Sequence, residues 1–138
     1  MKRFLPLLLL GFLFGCDDDG FNNHNPYIPN YDFSVDINLS LPAYNDLNYA
    51  GNAAYIPGVG ARGIYVFCIS PGSYNAFDAA CPNQALSSCS TMTENGISAV
   101  CACDDAEYSF YTGQAEGMSY PMKQYRVQVM NGVVRVYN

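Results

Sequence analysis

Asn75-Ala-Phe-Asp-Ala-Ala-Cys-Pro-Asn83 and Cys101-Ala-Cys-Asp-Asp-Ala-Glu-Tyr108 hold three of the six cysteines, Cys89 lies between them, and seventeen residues separate the two stretches. Close-set cysteines in two loops point either to a metal held by thiolates or to disulfides that close the loops. Both chemistries pin the loops to one another. What flanks the loops therefore decides the fold.

The flanks read as strands. Upstream, Ile64-Tyr-Val-Phe-Cys-Ile69 is a continuous apolar run between Gly63 and Ser70-Pro-Gly-Ser73, and Tyr74 to Phe77 return as the second arm of a hairpin. Further upstream, Phe33, Val35, Ile37, Leu39 and Leu41 alternate with Ser34, Asp36, Asn38 and Ser40, the period of a strand with one buried face. Downstream, Tyr125-Arg-Val-Gln-Val-Met130 and Val133-Val-Arg-Val-Tyr137 flank Asn131-Gly132, which suits a type I′ turn. No segment carries apolar residues at helical spacing over a useful length, although Tyr44 to Ala54 has room for a short turn. The pattern predicts an all-β domain over residues 32–138, with the tyrosines at 108, 111, 120, 125 and 137 mostly in strands and core and Cys68 a buried free thiol.

The N-terminus predicts export. Met1-Lys-Arg is basic, Phe4 to Phe14 is an apolar run of eleven residues, and Leu13-Phe14-Gly15-Cys16 ends in a cysteine directly after the small Gly15. The run is too short to span a bilayer, which takes about 20 residues, and reads as a signal peptide over residues 1–15. The junction resembles the lipobox of bacterial lipoproteins, which implies Cys16 as the lipidation site and a membrane partner through its lipid. Asp17-Asp18-Asp19 resembles the export signal of Bacteroidetes surface lipoproteins, and an Asp beside the lipidated Cys also resembles an inner-membrane retention signal. An outer-membrane lipoprotein on the cell surface or periplasmic face is expected, with residues 16–31 as an acidic tether in which His24 is solvated. Loss of Lys2 and Arg3 with the signal peptide leaves four basic residues against twelve acidic, so nucleic acid is excluded as a partner.

The two cysteine stretches resemble the cluster-binding loops of the Rieske 2Fe-2S family. The first matches an aromatic-ending strand leading to Cys-x-His, and the second matches Cys-Pro-Cys-His-Gly-Ser with an aromatic beyond. Thr112-Gly113, Gly117-Met-Ser119, Pro121-Met122 and Tyr125-Arg-Val127 resemble later landmarks of the family, so the likeness runs over roughly residues 33–138. It implies an antiparallel β-sandwich carrying two cysteine-bearing loops. It also implies that Cys81, Asn83, Cys101 and Asp104 stand at the metal-ligand positions, where the family uses two cysteines and two histidines.

Both histidines are replaced here, and the Gly-Ser that follows the second is Asp105-Ala106. An amide is a poor ligand for ferric iron and a carboxylate adds charge where imidazole was neutral. The expectation is no cofactor and no metal, with an electron-transfer protein keeping a 2Fe-2S cluster on substituted ligands as the alternative. In place of the cluster the resemblance implies disulfides Cys81–Cys101 and Cys89–Cys103, although four cysteines allow three connectivities. No catalytic residue is assigned: His24 is the sole histidine, and no nucleotide motif is present. Asp104 and Asp105, with Asn83 or Glu107, offer oxygens to calcium as a minor reading. The expected role is structural or binding, toward a protein partner that the sequence does not identify.

Overall fold

A computed structural model describes residues 21–138. The signal peptide assigned to residues 1–15, the lipidation site Cys16 and the acidic run at 17–19 lie outside the described residues.

Among the described residues nine strands form two antiparallel sheets: β1 Ser34–Asn38, β2 Ala53–Ile56, β3 Ile64–Ser70, β4 Ser73–Asp78, β5 Thr93–Asn95, β6 Ser98–Val100, β7 Glu107–Ser109, β8 Gln124–Met130 and β9 Val133–Tyr137. The larger sheet runs β1-β9-β8-β4-β3-β2 and the smaller β5-β6-β7. A single 3-10 turn, Asn45–Asn48, falls in the segment where a short turn was expected.

The β3–β4 hairpin is the centre of the molecule. Ile64, Val66, Cys68, Tyr74 and Ala76 face a core closed by Ile37, Tyr125, Val134 and Val136, while Tyr65, Phe67, Phe77 and Ala79 face a second core with Met92, Ala99, Tyr108 and Phe110. A strand buried on both faces has no polar side, which explains the unbroken apolar run of β3. The larger sheet curls because β8 pairs with β4 only at Tyr125 and Gln124 and then follows β9 for five residue pairs. At the β8–β9 turn Asn131 and Gly132 have φ of 44° and 78°, the two positive angles of a type I′ turn.

Three expectations need correction. Strand β1 ends at Asn38 rather than continuing to Leu41, because the Asn38 Oδ1 accepts the Ser40 N–H and its carbonyl accepts the Leu41 N–H. Leu39 is buried but Leu41 is exposed. Of the five tyrosines, Tyr108, Tyr125 and Tyr137 lie in strands as expected, whereas Tyr111 and Tyr120 lie outside them and are exposed.

The largest correction concerns residues 23–31, which were expected to be tether and instead pack on the domain. Ile28 is buried, and the buried Asn25 donates from Nδ2 to the Pro82 carbonyl at 2.8 Å while its Oδ1 accepts the Tyr27 and Ile28 N–H groups. Lys123, also buried, donates from Nζ to the Asn23 carbonyl at 2.8 Å and to Asn30 Oδ1. A buried ammonium requires such acceptors, so the segment serves as the lid that satisfies it. The expected boundary at residue 32 falls inside the packed structure. His24 is exposed, as expected.

Asp78 ends β4 and organises the start of the first cysteine loop. Fully buried, it accepts from Ala61 N (2.7 Å), Arg62 N (3.2 Å), Ala80 N (2.8 Å) and the Tyr125 hydroxyl (2.6 Å). Gly60, at φ +65°, passes so close that a Cβ there would collide with Asp78 Oδ2. Asp78→Asn turns one acceptor oxygen into an NH2 facing N–H or O–H donors and is expected to lower stability by about 2–3 kcal/mol in urea unfolding. Tyr125→Phe, which removes one donor, is expected to cost less, about 1–2 kcal/mol.

Burial holds the phenols of Tyr65, Tyr74 and Tyr108 above the ordinary tyrosine range, and at Tyr125 the charge and hydrogen bond of Asp78 push in the same direction as burial. In the unfolded chain these phenols ionise near pH 10. Above that pH the native state binds more protons than the unfolded one, so stability falls as pH rises. The buried Cys68 thiol, also raised by burial, adds to the phenols, whereas Lys123, depressed by burial, works the opposite way in the same window, one group against five. The urea midpoint is therefore expected to fall between about pH 9 and about pH 11, with tyrosinate absorbance rising together with unfolding. Tyrosinate that forms fully in the native state would contradict this.

Candidate functional site

Each cysteine loop is built by its own backbone. Beyond β4, Cys81 N donates to Ser90 O at 2.7 Å and Met92 N to Ala79 O at 2.7 Å, so the chain leaves the hairpin and returns beside itself. The second loop is a tight turn between β6 and β7. Cys101 N donates to Ala106 O at 2.9 Å, Asp105 N to Cys101 O at 2.8 Å, and Asp105 adopts the left-handed region at φ 58°. Asp104 Oδ1 accepts the Ala106 N–H at 3.0 Å, a side-chain closure of the same turn.

Disulfides join the loops. Cys81 is bonded to Cys101, with Cα atoms 5.7 Å apart, and Cys89 to Cys103, with Cα atoms 5.1 Å apart. These are the two pairings that the family resemblance implied. Cys68 is a buried free thiol, raised in pKa by burial. The inner bridge, Cys81–Cys101, is inaccessible to solvent, whereas Cys89 is exposed and Cys103 half-buried. Each bridge closes a loop whose unfolded-state entropy corresponds to about 3 kcal/mol. Their chain order interleaves, with Cys89 inside the first loop and Cys103 outside it, so the two contributions are not independent.

The sulfurs of Cys81, Cys101 and Cys103 lie within 4.8 Å of one another, a spacing that a metal site also shows. All three are consumed by disulfide bonds, so none is a thiolate available to a metal. Asn83, which the resemblance put at the first imidazole position, is engaged on every side. Its Nδ2 donates to the Tyr108 hydroxyl at 2.8 Å and to the Tyr120 carbonyl at 2.9 Å, and its Oδ1 accepts the Tyr120 N–H at 2.8 Å. The amide thus grips both backbone groups of Tyr120. Asp104, which the resemblance put at the second imidazole position, is exposed and turned back on its own loop. Two bridged cysteines, an engaged amide and a turn-closing carboxylate do not fit a Rieske cluster, which requires two thiolates and two imidazoles.

The oxygen set considered for calcium also disperses. Glu107 Oε1 accepts from Ser98 Oγ at 2.5 Å and from Asn95 Nδ2 at 3.3 Å, on the far side of β6, while Asn83 faces Tyr120. Among the described residues no cluster of carboxylates is spaced to hold a cation.

Sequence reasoning missed two side chains that touch the sulfurs. Gln84 Nε2 donates to Cys101 Sγ at 3.0 Å, and Ser87 Oγ lies 3.3 Å from Cys89 Sγ and 3.6 Å from Cys103 Sγ. Neither belongs to a motif, and only the folded loop brings them to sulfur. Also missed was the contact of Tyr27 with Tyr120, whose rings meet edge to face at 6.2 Å and leave both tyrosines partly exposed beside the loops.

No family model and no curated protein match the chain. Among solved structures it resembles a chain from the complex of reduced oxygenase and oxidized ferredoxin in carbazole 1,9a-dioxygenase, with 21% identity, a TM-score of 0.51, and coverage of 75% of this chain and 92% of that one. The ferredoxin of carbazole 1,9a-dioxygenase from Nocardioides aromaticivorans IC177 aligns at 16% identity with a TM-score of 0.47, over 78% of this chain and 97% of that one. The Sphingomonas yanoikuyae B1 ferredoxin aligns at 18% identity with a TM-score of 0.45, over 64% of this chain and 87% of that one. The fold is Rieske-like: all-β, with curled antiparallel sheets and almost no helix.

Asn83→Ala removes the grip on Tyr120 and leaves the buried Tyr108 hydroxyl without its donor. A loss of about 1–3 kcal/mol is expected, with faster amide hydrogen exchange at Tyr120 and unchanged disulfides. Unaltered exchange at Tyr120 would show that the amide does not hold the loop.

Proposed function

We propose that this chain is a lipid-anchored Rieske-like module that carries no iron-sulfur cluster and whose stapled loops serve structure or the binding of a protein partner. The observation that supports this most is the inner disulfide: a sulfur bonded to Cys101 gives Cys81 no lone thiolate for iron, and the reverse holds for Cys101. Asn83 adds weight, because the atoms nearest the former imidazole position hold Tyr120 in place. The loops then carry a rigid end, stapled twice, with Tyr27 and Tyr120 exposed beside it. Exposed tyrosines on a rigid support are favourable anchors for a protein surface.

Cys16 supplies the membrane attachment in this reading, through a lipid, and the destination is a bacterial outer membrane on its cell surface or periplasmic face. An oxidising compartment is consistent with two disulfides in a small domain. The excess of acidic residues argues against nucleic acid as a partner.

Electron transfer by a 2Fe-2S cluster on substituted ligands is the second reading, favoured by the resemblance to a chain of the solved oxygenase and ferredoxin complex. Anaerobically purified protein separates the two. The cluster-free reading expects no visible charge-transfer absorbance, no EPR signal after reduction, and no stoichiometric iron or sulfide. Charge-transfer bands with two irons per chain, the content of such a cluster, would overturn it in favour of electron transfer.

A further inference from the structure

The two bridges differ in access yet lie almost in contact. Cys81 and Cys101 are fully buried, while Cys89 is exposed and Cys103 half-buried. Cys103 Sγ nonetheless lies within 4.8 Å of both inner sulfurs. We propose that the pair is a thiol–disulfide relay, in which an external dithiol opens Cys89–Cys103 and the freed Cys103 carries the exchange to the buried bridge at Cys81. This rests on the disulfide-paired reading of the loops given above.

The first step is a reduction. The dithiol attacks the exposed bridge and is oxidised to its own disulfide, while two electrons and two protons pass to Cys89 and Cys103, which become thiols. Attack takes place at sulfur and depends on access, and only the outer bridge has it. Ser87 Oγ lies within reach of both outer sulfurs and has a hydroxyl proton to donate to the departing thiolate.

The second step is an internal exchange that consumes no electrons. Cys103, as thiolate, attacks Cys81 Sγ; the Cys81–Cys103 bond forms, the Cys81–Cys101 bond breaks, and Cys101 leaves with the electron pair and takes up the proton that Cys103 gave up. Gln84 sets the direction. Its Nε2–H points at Cys101 Sγ from 3.0 Å, and a donor aimed at a sulfur stabilises the thiolate more than the neutral form. The better-stabilised thiolate leaves faster, so Cys101 rather than Cys81 departs. The product is stapled Cys81–Cys103, with Cys89 and Cys101 as thiols.

A pulse of limiting dithiothreitol on the wild-type protein, quenched with acid, alkylated under denaturing conditions and mapped by mass spectrometry, tests the relay. The expected two-thiol species is alkylated at Cys89 and Cys101 and retains a Cys81–Cys103 bridge. A two-thiol species alkylated at Cys89 and Cys103 with Cys81–Cys101 intact would overturn the proposal, as would simultaneous loss of both bridges. Cys89→Ser provides a version needing no reductant: its Cys103 thiol is expected to displace Cys101, so that after acid quench and alkylation under denaturing conditions the label falls on Cys101, whereas label confined to Cys103 would sink the idea. Gln84→Ala is expected to slow arrival of the Cys81–Cys103 species by roughly tenfold, and an unchanged rate would overturn the assigned direction of attack. Iron analysis of the same untreated sample keeps the two readings apart: iron with Cys81 and Cys101 unbridged defeats the cluster-free reading itself, whereas an intact bridge that does not exchange defeats only the relay.

Discussion

The structure depends on one hairpin buried on both faces. β3 and β4 give alternate side chains to two different cores, one closed by the curl of the large sheet and the other by the small sheet and the cysteine loops. Neither core is complete without the hairpin, so the loops cannot be treated as appendages on an independent barrel. Phe67 stacks on Phe110 at 5.4 Å and Tyr65 lies 5.3 Å from the same ring, which couples β3 to the segment just past β7. Asp78 then sits where the hairpin gives way to the first loop, tying four donors from three segments to one carboxylate. Position at the loops is thus inherited from packing around β3 and β4.

Much of this was legible in the sequence because the signals were local. The six-residue apolar run and its Pro-Gly turn marked β3 and β4, and Asn131-Gly132 marked β8 and β9. Strands β5, β6 and β7 were not legible, since three residues each show no period; β6 and β7 are held by burial of Ala99 and Tyr108, and β5 is exposed throughout. β2 was missed for a similar reason: it is a four-residue edge strand of intermediate exposure. The N-terminal segment misled because Asn and Pro are turn formers in a tether and in a packed lid alike. What distinguishes the two is Lys123, about a hundred residues away, whose need for acceptors no local reading reveals.

At the site, the cysteine positions were legible and the meaning of their neighbours was not. Asn83 reads from sequence as a missing imidazole, yet in the fold its amide matches the donor and acceptor of the Tyr120 backbone, a role that neither histidine nor alanine would fill. Asp104 is similar: a poor substitute ligand on paper, and in the structure the group that closes the turn. Gln84 and Ser87 gain their importance only from distances to sulfur. A residue that departs from the family pattern therefore carries information about the contacts it makes in this fold.

The interleaved order of the bridges has a further bearing on proteolysis. Any single backbone cut between Cys81 and Cys103 falls inside at least one of the two closed loops, because the first spans residues 81–101 and the second 89–103. A protease that nicks this region leaves both fragments covalently joined. The cysteine loops include exposed residues such as Ser87, Ser88 and Cys89, the kind of turn at which nicking occurs. Their crossed staples make that stretch one in which a severed chain still holds together.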